Sequence, residues 1–204
     1  MRPYTGRTMS HNPEKHQRHS IRLKDYDYSQ AGSYFVTICT YYKECIFGKV
    51  VNGKMVLNEY GKVVEDEWLK TADARRNVVP DVFVVMPNHF HGIVTIVNDC
   101  RGTARCAPTA RNRQFGKMTS ASVPAIIRSF KSAVSRCINE LRGTPRTSIW
   151  QRNYYEHVIR NEDDLDEIRE YIVNNPLKWG LDSENPNNVG ATCRSPQGTS
   201  PLRK

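Results

Sequence analysis

No Cys-x-x-Cys pair occurs in the 204 residues, no apolar run is long enough to span a bilayer, and no segment repeats. The six cysteines, at positions 39, 45, 100, 106, 137 and 193, are too scattered for a zinc ribbon or a thioredoxin-like redox motif. Free thiols in a reducing cytosol are the expected state. Cys39 and Cys137 sit in apolar patterns and read as core. Met1 to Lys24 is polar and basic and lacks the apolar stretch of a secretory signal. Carboxylates are also scarce: 21 acidic side chains stand against 30 basic ones, a formal net charge of +9. That excess points to a polyanionic partner, nucleic acid before membrane, although a solvated basic surface would give the same count.

The organisation that remains is one domain with extensions. Residues 1–24, with Arg2, Arg7, Lys15, Arg18, Arg22 and Lys24, show no hydrophobic period and predict a basic arm able to lie on phosphate. Ser33 to Thr40 is dense in β-branched and aromatic residues and predicts a buried strand. Lys43 to Leu57 predicts a hairpin turning at Asn52-Gly53. Asn58 is the expected N-cap of a helix reaching about Ala74. Val78 to Met86 and His91 to Val97 predict two strands joined through Pro87-Asn88. Residues 98–118, rich in Arg, Thr, Ala and Pro, predict an inserted flexible loop.

Ser122 to Arg142 is the clearest helix. Ile126, Ile127, Phe130, Val134, Cys137, Ile138 and Leu141 fall on one face. Ser148 to Gln151 and His157 to Ile159 predict short strand pieces, and Asn161 caps a last helix. That helix is expected to stop near Asn175, because Pro176 disfavours helix in the residue before it. Residues 183–204 predict a disordered tail. The order predicts an α+β fold: a split βαβ sandwich with a mainly antiparallel sheet, two helices on one face and an added C-terminal helix.

Three patterns carry chemistry. In Pro87-Asn88-His89-Phe90-His91-Gly92 the two histidines are two apart on a strand, so they project together while Phe90 points into the core. They form either a two-ligand metal site or merely a strand end. Tyr171 and Asn175 lie four apart on the last helix and share a face beside the Leu165, Ile168 and Ile172 stripe. Tyr171 is either a reactive phenol or a ring packing at a core rim. Opposite the apolar face of the 122–142 helix lie Arg128, Lys131, Ser132, Ser135, Asn139 and Arg142, which are phosphate-contacting types or an ordinary solvated face.

These residues resemble a known family. Pro87-Asn88-His89-Phe90-His91 is similar to the His-hydrophobic-His signature of HUH single-strand nucleases. Trp150-Gln151-Arg152-Asn153-Tyr154-Tyr155-Glu156-His157, Arg160-Asn161 and Tyr171-Ile172-Val173-Asn174-Asn175-Pro176 resemble the C-terminal blocks of REP-associated tyrosine transposases. The resemblance runs from about Ser20 to Asp182, within an expected HUH domain of residues 25–182. It implies a ferredoxin- or RRM-like core and a divalent metal, Mg²⁺ or Mn²⁺, on His89, His91 and Asn175. Tyr171 would be the nucleophile, ahead of Tyr154 and Tyr155, which do not precede the Asn-Pro pair by a helical turn.

The implied reaction is cleavage and joining of single-stranded, hairpin-forming repeat DNA through a 5′-phosphotyrosine. DNA contacts are expected from Arg128, Lys131, Ser135, Arg142, Arg22 and Arg152. The resemblance further implies a cytoplasmic, nucleoid-associated protein with no membrane partner, acting as a monomer or a homodimer. Two other readings stand beside it. One is a non-catalytic RRM-like binding module stacking bases on Tyr34 or Phe35. The other is a replication initiator or relaxase, which would ordinarily carry a third histidine or a tyrosine pair.

Overall fold

A computed structural model of the chain describes residues 26–98 and 122–188. The expected arm with Arg22 and nearly all of the 98–118 loop lie outside the described residues, as do residues 189–204 of the tail. The elements run β1 (Gly32–Cys39), β2 (Gly48–Val51), β3 (Lys54–Leu57), α1 (Glu59–Asp73), β4 (Val78–Val85), β5 (His89–Ile96), α2 (Val123–Arg142), β6 (Tyr155–Ile159) and α3 (Glu162–Lys178). Single 3-10 turns lie at Tyr41–Lys43 and Trp179–Leu181. The main sheet has the order β4-β5-β1-β6 with antiparallel neighbours, and β2 and β3 form a separate hairpin. This is the split βαβ sandwich that the order of elements predicts.

Local signals set the ends of the elements. Asn58 accepts from the Gly61 N–H at 3.0 Å to open α1, and Asn161 accepts from the Asp164 N–H at 2.7 Å to open α3. Glu162, Asp163 and Asp164 then occupy the first turn of α3, where its dipole favours negative charge. Gly143 closes α2 in the left-handed conformation, at φ 64°. Asn52 and Gly53, at φ 51° and 72°, form the β2–β3 turn.

Strand alternation divides the sheet between two packing partners. Tyr34, Val36, Ile38, Phe90, Val94 and Ile96 face α1 and α2, where they meet Trp68, Ile126, Phe130 and Val134. Phe35, Ile93 and Ile159 face the other way and pack under Ile168 and Ile172 of α3. On the first side Gly92 lets α1 close in, since a Cβ there would stand 3.0 Å from the Trp68 ring. An ion pair ties α3 to the edge strand, with Arg169 donating to Asp81 at 2.7 and 3.0 Å.

Four expectations need correction. α3 does not stop at Asn175 but continues through Pro176 to Lys178. The docking of Ile168, Ile172 and Asn175 outweighs the local bias, and the proline forfeits only the hydrogen bond to the carbonyl of Ile172. Ser148 to Gln151 is not a strand; it contributes an isolated bridge between Trp150 and Thr40. Leu141 lies beyond the end of the packed stripe and is exposed. The expected tail begins too early, because residues 183–188 are folded back. Asp182 and Asn185 accept from the N–H two residues on, and Asn185 donates to the carbonyl of Trp179 at 2.9 Å.

Candidate active site

β5 enters the sheet at His89, so both histidines are placed by its first turn of pairing with β1: His89 opposite Cys39 and His91 opposite Thr37. Their rings lie 4.5 Å apart, on the face covered by α3. α3 brings Tyr171 over them. The Tyr171 hydroxyl stands 3.5 Å from Nε2 of His91, and the two rings meet edge to face at 5.3 Å. Phe35 stacks against His91 from below at 5.5 Å and fixes its plane.

Each histidine is oriented through Nδ1. His91 Nδ1 lies 2.8 Å from the Thr37 hydroxyl, across the strand pair. His89 Nδ1 lies 2.9 Å from Oδ1 of Asn88. The Asn88 amide cannot be turned round, because its Nδ2 donates to the carbonyls of Lys43 at 3.0 Å and Glu184 at 2.6 Å. Asn88 therefore accepts from His89, the ring hydrogen sits on Nδ1, and Nε2 keeps its lone pair. That Nε2 is fully buried and has no hydrogen bond. The nearest carboxylate is Asp182, at 3.8 Å.

Asn175, one turn beyond Tyr171, is also buried, and its Oδ1 has no hydrogen bond. It lies close enough to His89 and Tyr171 to act on both electrostatically without reaching hydrogen-bond geometry. Burial pushes His89 down to about 3, with Asn175 opposing, and holds His91 well below its usual value, helped by His89. Both are thus neutral near pH 7, the state in which imidazole binds metal. Burial, then the charge of Asp182, pushes the Tyr171 phenol up to about 12, with Asn175 opposing.

The donor set suits a divalent cation. The two imidazole rings lie 4.5 Å apart, and beside them His89 Nε2 and Asn175 Oδ1 are buried atoms without a hydrogen bond. Among the described residues no group of three or more His, Cys, Asp or Glu side chains is arranged around one metal position. A metal here would be held by the mixed set of two imidazoles and one amide oxygen.

The structure places Tyr171, His89, His91 and Asn175 beside one another. The expected DNA-contacting residues divide. Lys131, Ser135 and Arg152 line one shallow groove of about 390 Å³ between α2 and residues 146–152. Within it the Lys131 ammonium donates to the carbonyl of Gln151 at 2.5 Å. Arg142 instead lies over the Tyr60 ring at 4.5 Å, and Arg128 is exposed on α2. Arg22 is outside the described residues. Helices on both faces of the sheet also bear on the binding-module reading: Tyr34 and Phe35 are both buried and offer no ring to a base.

Sequence reasoning missed Thr37, Asn88, Asp182 and Glu184. Asn88 stood inside the quoted motif and Thr37 was one strand alternation from Phe35, so both were within reach. Asp182 and Glu184 follow the end of α3, and nothing in their spacing announces a return to His89.

No protein-family model matches the chain. A solved structure of a REP-associated tyrosine transposase bound to a REP hairpin superposes with a TM-score of 0.48 at 20% identity, covering 81% of this chain and 80% of that one. A candidate transposase from Deinococcus radiodurans superposes at 0.41 and 15% identity, covering 75% and 95%. Likenesses at that level leave the chemistry to be argued from the site itself. An uncharacterized protein of Haemophilus influenzae is 41% identical over 176 residues, which is 86% of this chain and 97% of that protein. By that relationship the chain belongs to the same family as the Haemophilus influenzae protein.

Proposed function

We propose that this protein is a transposase-like endonuclease and strand transferase for single-stranded DNA, with Tyr171 as the nucleophile and a divalent metal, Mg²⁺ or Mn²⁺, held by His89, His91 and Asn175. One observation carries the reading. The Tyr171 hydroxyl stands 3.5 Å from a histidine nitrogen, beside two buried, unbonded lone-pair atoms, His89 Nε2 and Asn175 Oδ1. A structural tyrosine at a core rim has no use for such a setting. The motif blocks around Trp150 and Tyr171 and the +9 charge support the same reading.

The residues divide the work as follows. Tyr171 is protonated at neutral pH, since its phenol is pushed up to about 12, so the attack needs positive charge in the site. The bound ion would supply that charge and polarise the scissile phosphate. Asn88 keeps the His89 hydrogen on Nδ1 and its lone pair on Nε2, and the Thr37 hydroxyl holds the His91 ring in place through Nδ1. Phe35 and Ile172 hold Tyr171 over the strand junction and keep water from its inner side. The Tyr171 oxygen bonds to phosphorus as the bond from phosphorus to the 3′ oxygen breaks, which leaves a 5′-phosphotyrosine and a 3′ oxygen. The phenol gives up its proton to solvent and the 3′ oxygen takes one from solvent to become a hydroxyl, so no net proton is gained or lost. A second 3′-hydroxyl can reverse the step and join strands without ATP, because the bond energy is conserved.

An unpaired strand bends into a site enclosed by a helix and a sheet more readily than a duplex does. Hairpin-forming repeat DNA is the substrate class that the motif resemblance favours. Among the described residues no helix is long and apolar enough to cross a membrane.

The test is incubation of the protein with labelled single-stranded palindromic DNA and Mn²⁺, followed by denaturing electrophoresis. The wild type should form a covalent adduct. Tyr171→Phe loses one oxygen and keeps its packing, so it should bind DNA as before and form none. An adduct that survives in Tyr171→Phe overturns the assignment, and mass spectrometry of the adduct would then identify the tyrosine used.

A further inference from the structure

We propose that Tyr41 and Tyr42 form a stacking platform for unpaired bases of the DNA strand entering the site, an inference that rests on the single-strand nuclease reading above. Two consecutive aromatic rings are set out in water here, with Tyr41 42% and Tyr42 77% exposed. Their centroids are 4.2 Å apart with the ring planes inclined at 54°, so the two rings are in contact and lie side by side at the surface. The backbone that presents them is unusual. Tyr42 and Lys43 are both left-handed, at φ 54° and 58°, without a glycine at either position. Such conformations cost free energy and persist only where surrounding structure imposes them.

The surrounding structure does impose this one. Thr40, buried at the base of the turn, shares its one hydroxyl hydrogen between the carbonyls of Glu44 at 2.9 Å and Asn88 at 3.0 Å, and its N–H also goes to the Asn88 carbonyl. The Lys43 carbonyl accepts from Nδ2 of Asn88, the amide that orients His89. On the other side the Tyr41 N–H donates to the carbonyl of Ile149 at 2.8 Å. Ile149 lines the groove that also holds Lys131, Ser135 and Arg152. The turn thus spans the interval between a groove with basic side chains and the two histidines, bonded on one side to the carbonyl of Ile149 and on the other to Asn88, which orients His89.

That position selects the ligand. The flanking groups, Lys131, Arg152 and Lys43, are cationic and suit a phosphate backbone, although Lys43 is also paired with Glu184 at 3.2 Å. Aromatic rings in such a track stack on bases, and only unpaired bases present their faces. A turn anchored to His89 would set the register of the strand, so that the phosphate next to a stacked base arrives at Tyr171. The platform is indifferent to base identity, since every base has a π face.

The experiment measures binding of a labelled oligothymidylate of about 12 nucleotides, the same length with abasic residues, and a matched duplex. The wild type and the Tyr41→Ala/Tyr42→Ala and Tyr41→Phe/Tyr42→Phe double variants are compared after circular dichroism has checked folding. The alanine pair should weaken oligothymidylate binding roughly tenfold or more, and the phenylalanine pair should retain it. The abasic strand and the duplex should bind all three proteins alike. Equal binding of oligothymidylate by the wild type and the alanine pair overturns the platform, while adduct formation by the wild type keeps the nuclease reading intact. Failure of the wild type to bind any single strand overturns both. Because the phenylalanine pair keeps the rings, a loss of binding there as well would also overturn stacking, in favour of hydroxyl contacts.

Discussion

Toward α1 and α2 the central strands present Tyr34, Val36, Ile38, Phe90 and Val94; toward α3 the same strands present Phe35, Thr37, His89, His91 and Ile93. The first set closes on an aromatic cluster in which Trp68 lies 4.6 Å from Phe90 and 5.2 Å from Phe130. Its unbonded polar groups include the indole N–H of Trp68 and of Trp150, which can only donate. The second set holds a histidine nitrogen and an amide oxygen without partners, and both carry lone pairs. Each buried unbonded group costs about 1–3 kcal/mol, against a net stability of roughly 5–15 kcal/mol for a domain. The two sides therefore differ in kind rather than in cost: the aromatic side buries donors, and the side beneath α3 buries lone pairs that a cation could use.

The largest effect that could break this comparison is on the aromatic side. Phe90→Ala should cost about 3–5 kcal/mol, read from urea unfolding, because it opens a cavity between Trp68 and Phe130. A loss under about 1 kcal/mol would mean that this side is not the source of stability. A smaller effect concerns acid. In the metal-free protein His89 is pushed down to about 3, whereas its ordinary value is 6.5. Between those values the unfolded chain binds more protons than the folded one, so stability falls as pH drops from 6.5 toward 3. Denaturant midpoints should therefore decline less steeply for His89→Gln than for the wild type over that window. Equal slopes would remove His89 from the account.

The smallest effect sharpens the contrast. Asn175→Leu replaces an unbonded amide with an apolar group of similar size, so stability should change by less than about 1 kcal/mol. Mn²⁺ affinity measured by calorimetry should drop all the same. A large destabilisation would show that Asn175 is structural rather than reserved for a ligand.

What was legible in the sequence was whatever depends on short spacing. His89 and His91 share a side because strand alternation has a period of two, and Tyr171 and Asn175 share one because a helical turn has about four residues. Asn58 and Asn161 announced their caps for the same local reason. Pro176 misled, because its bias against helix is local and the buried side chains of α3 override it. Lys131 was legible as a basic residue of α2, but only the fold shows that its ammonium reaches the carbonyl of Gln151. Asp182 and Glu184 reach the site through a backbone that doubles back after α3, which no periodicity encodes.

The register of β5 on β1 carries a consequence for insertions and deletions. His89 pairs with Cys39 and His91 with Thr37 on β1, and the three residues from Met86 to Asn88 set how β5 meets β4 on its other side, with Val84 opposite His91 and Val85 opposite Phe90. Removing one of these would carry Phe90 to the side now held by histidine and drive both imidazoles into the Trp68 and Phe130 cluster. The length of that connection is therefore as much a part of the site as the identity of Asn88, and a chain with one residue fewer there would keep the letters of the motif while losing its chemistry.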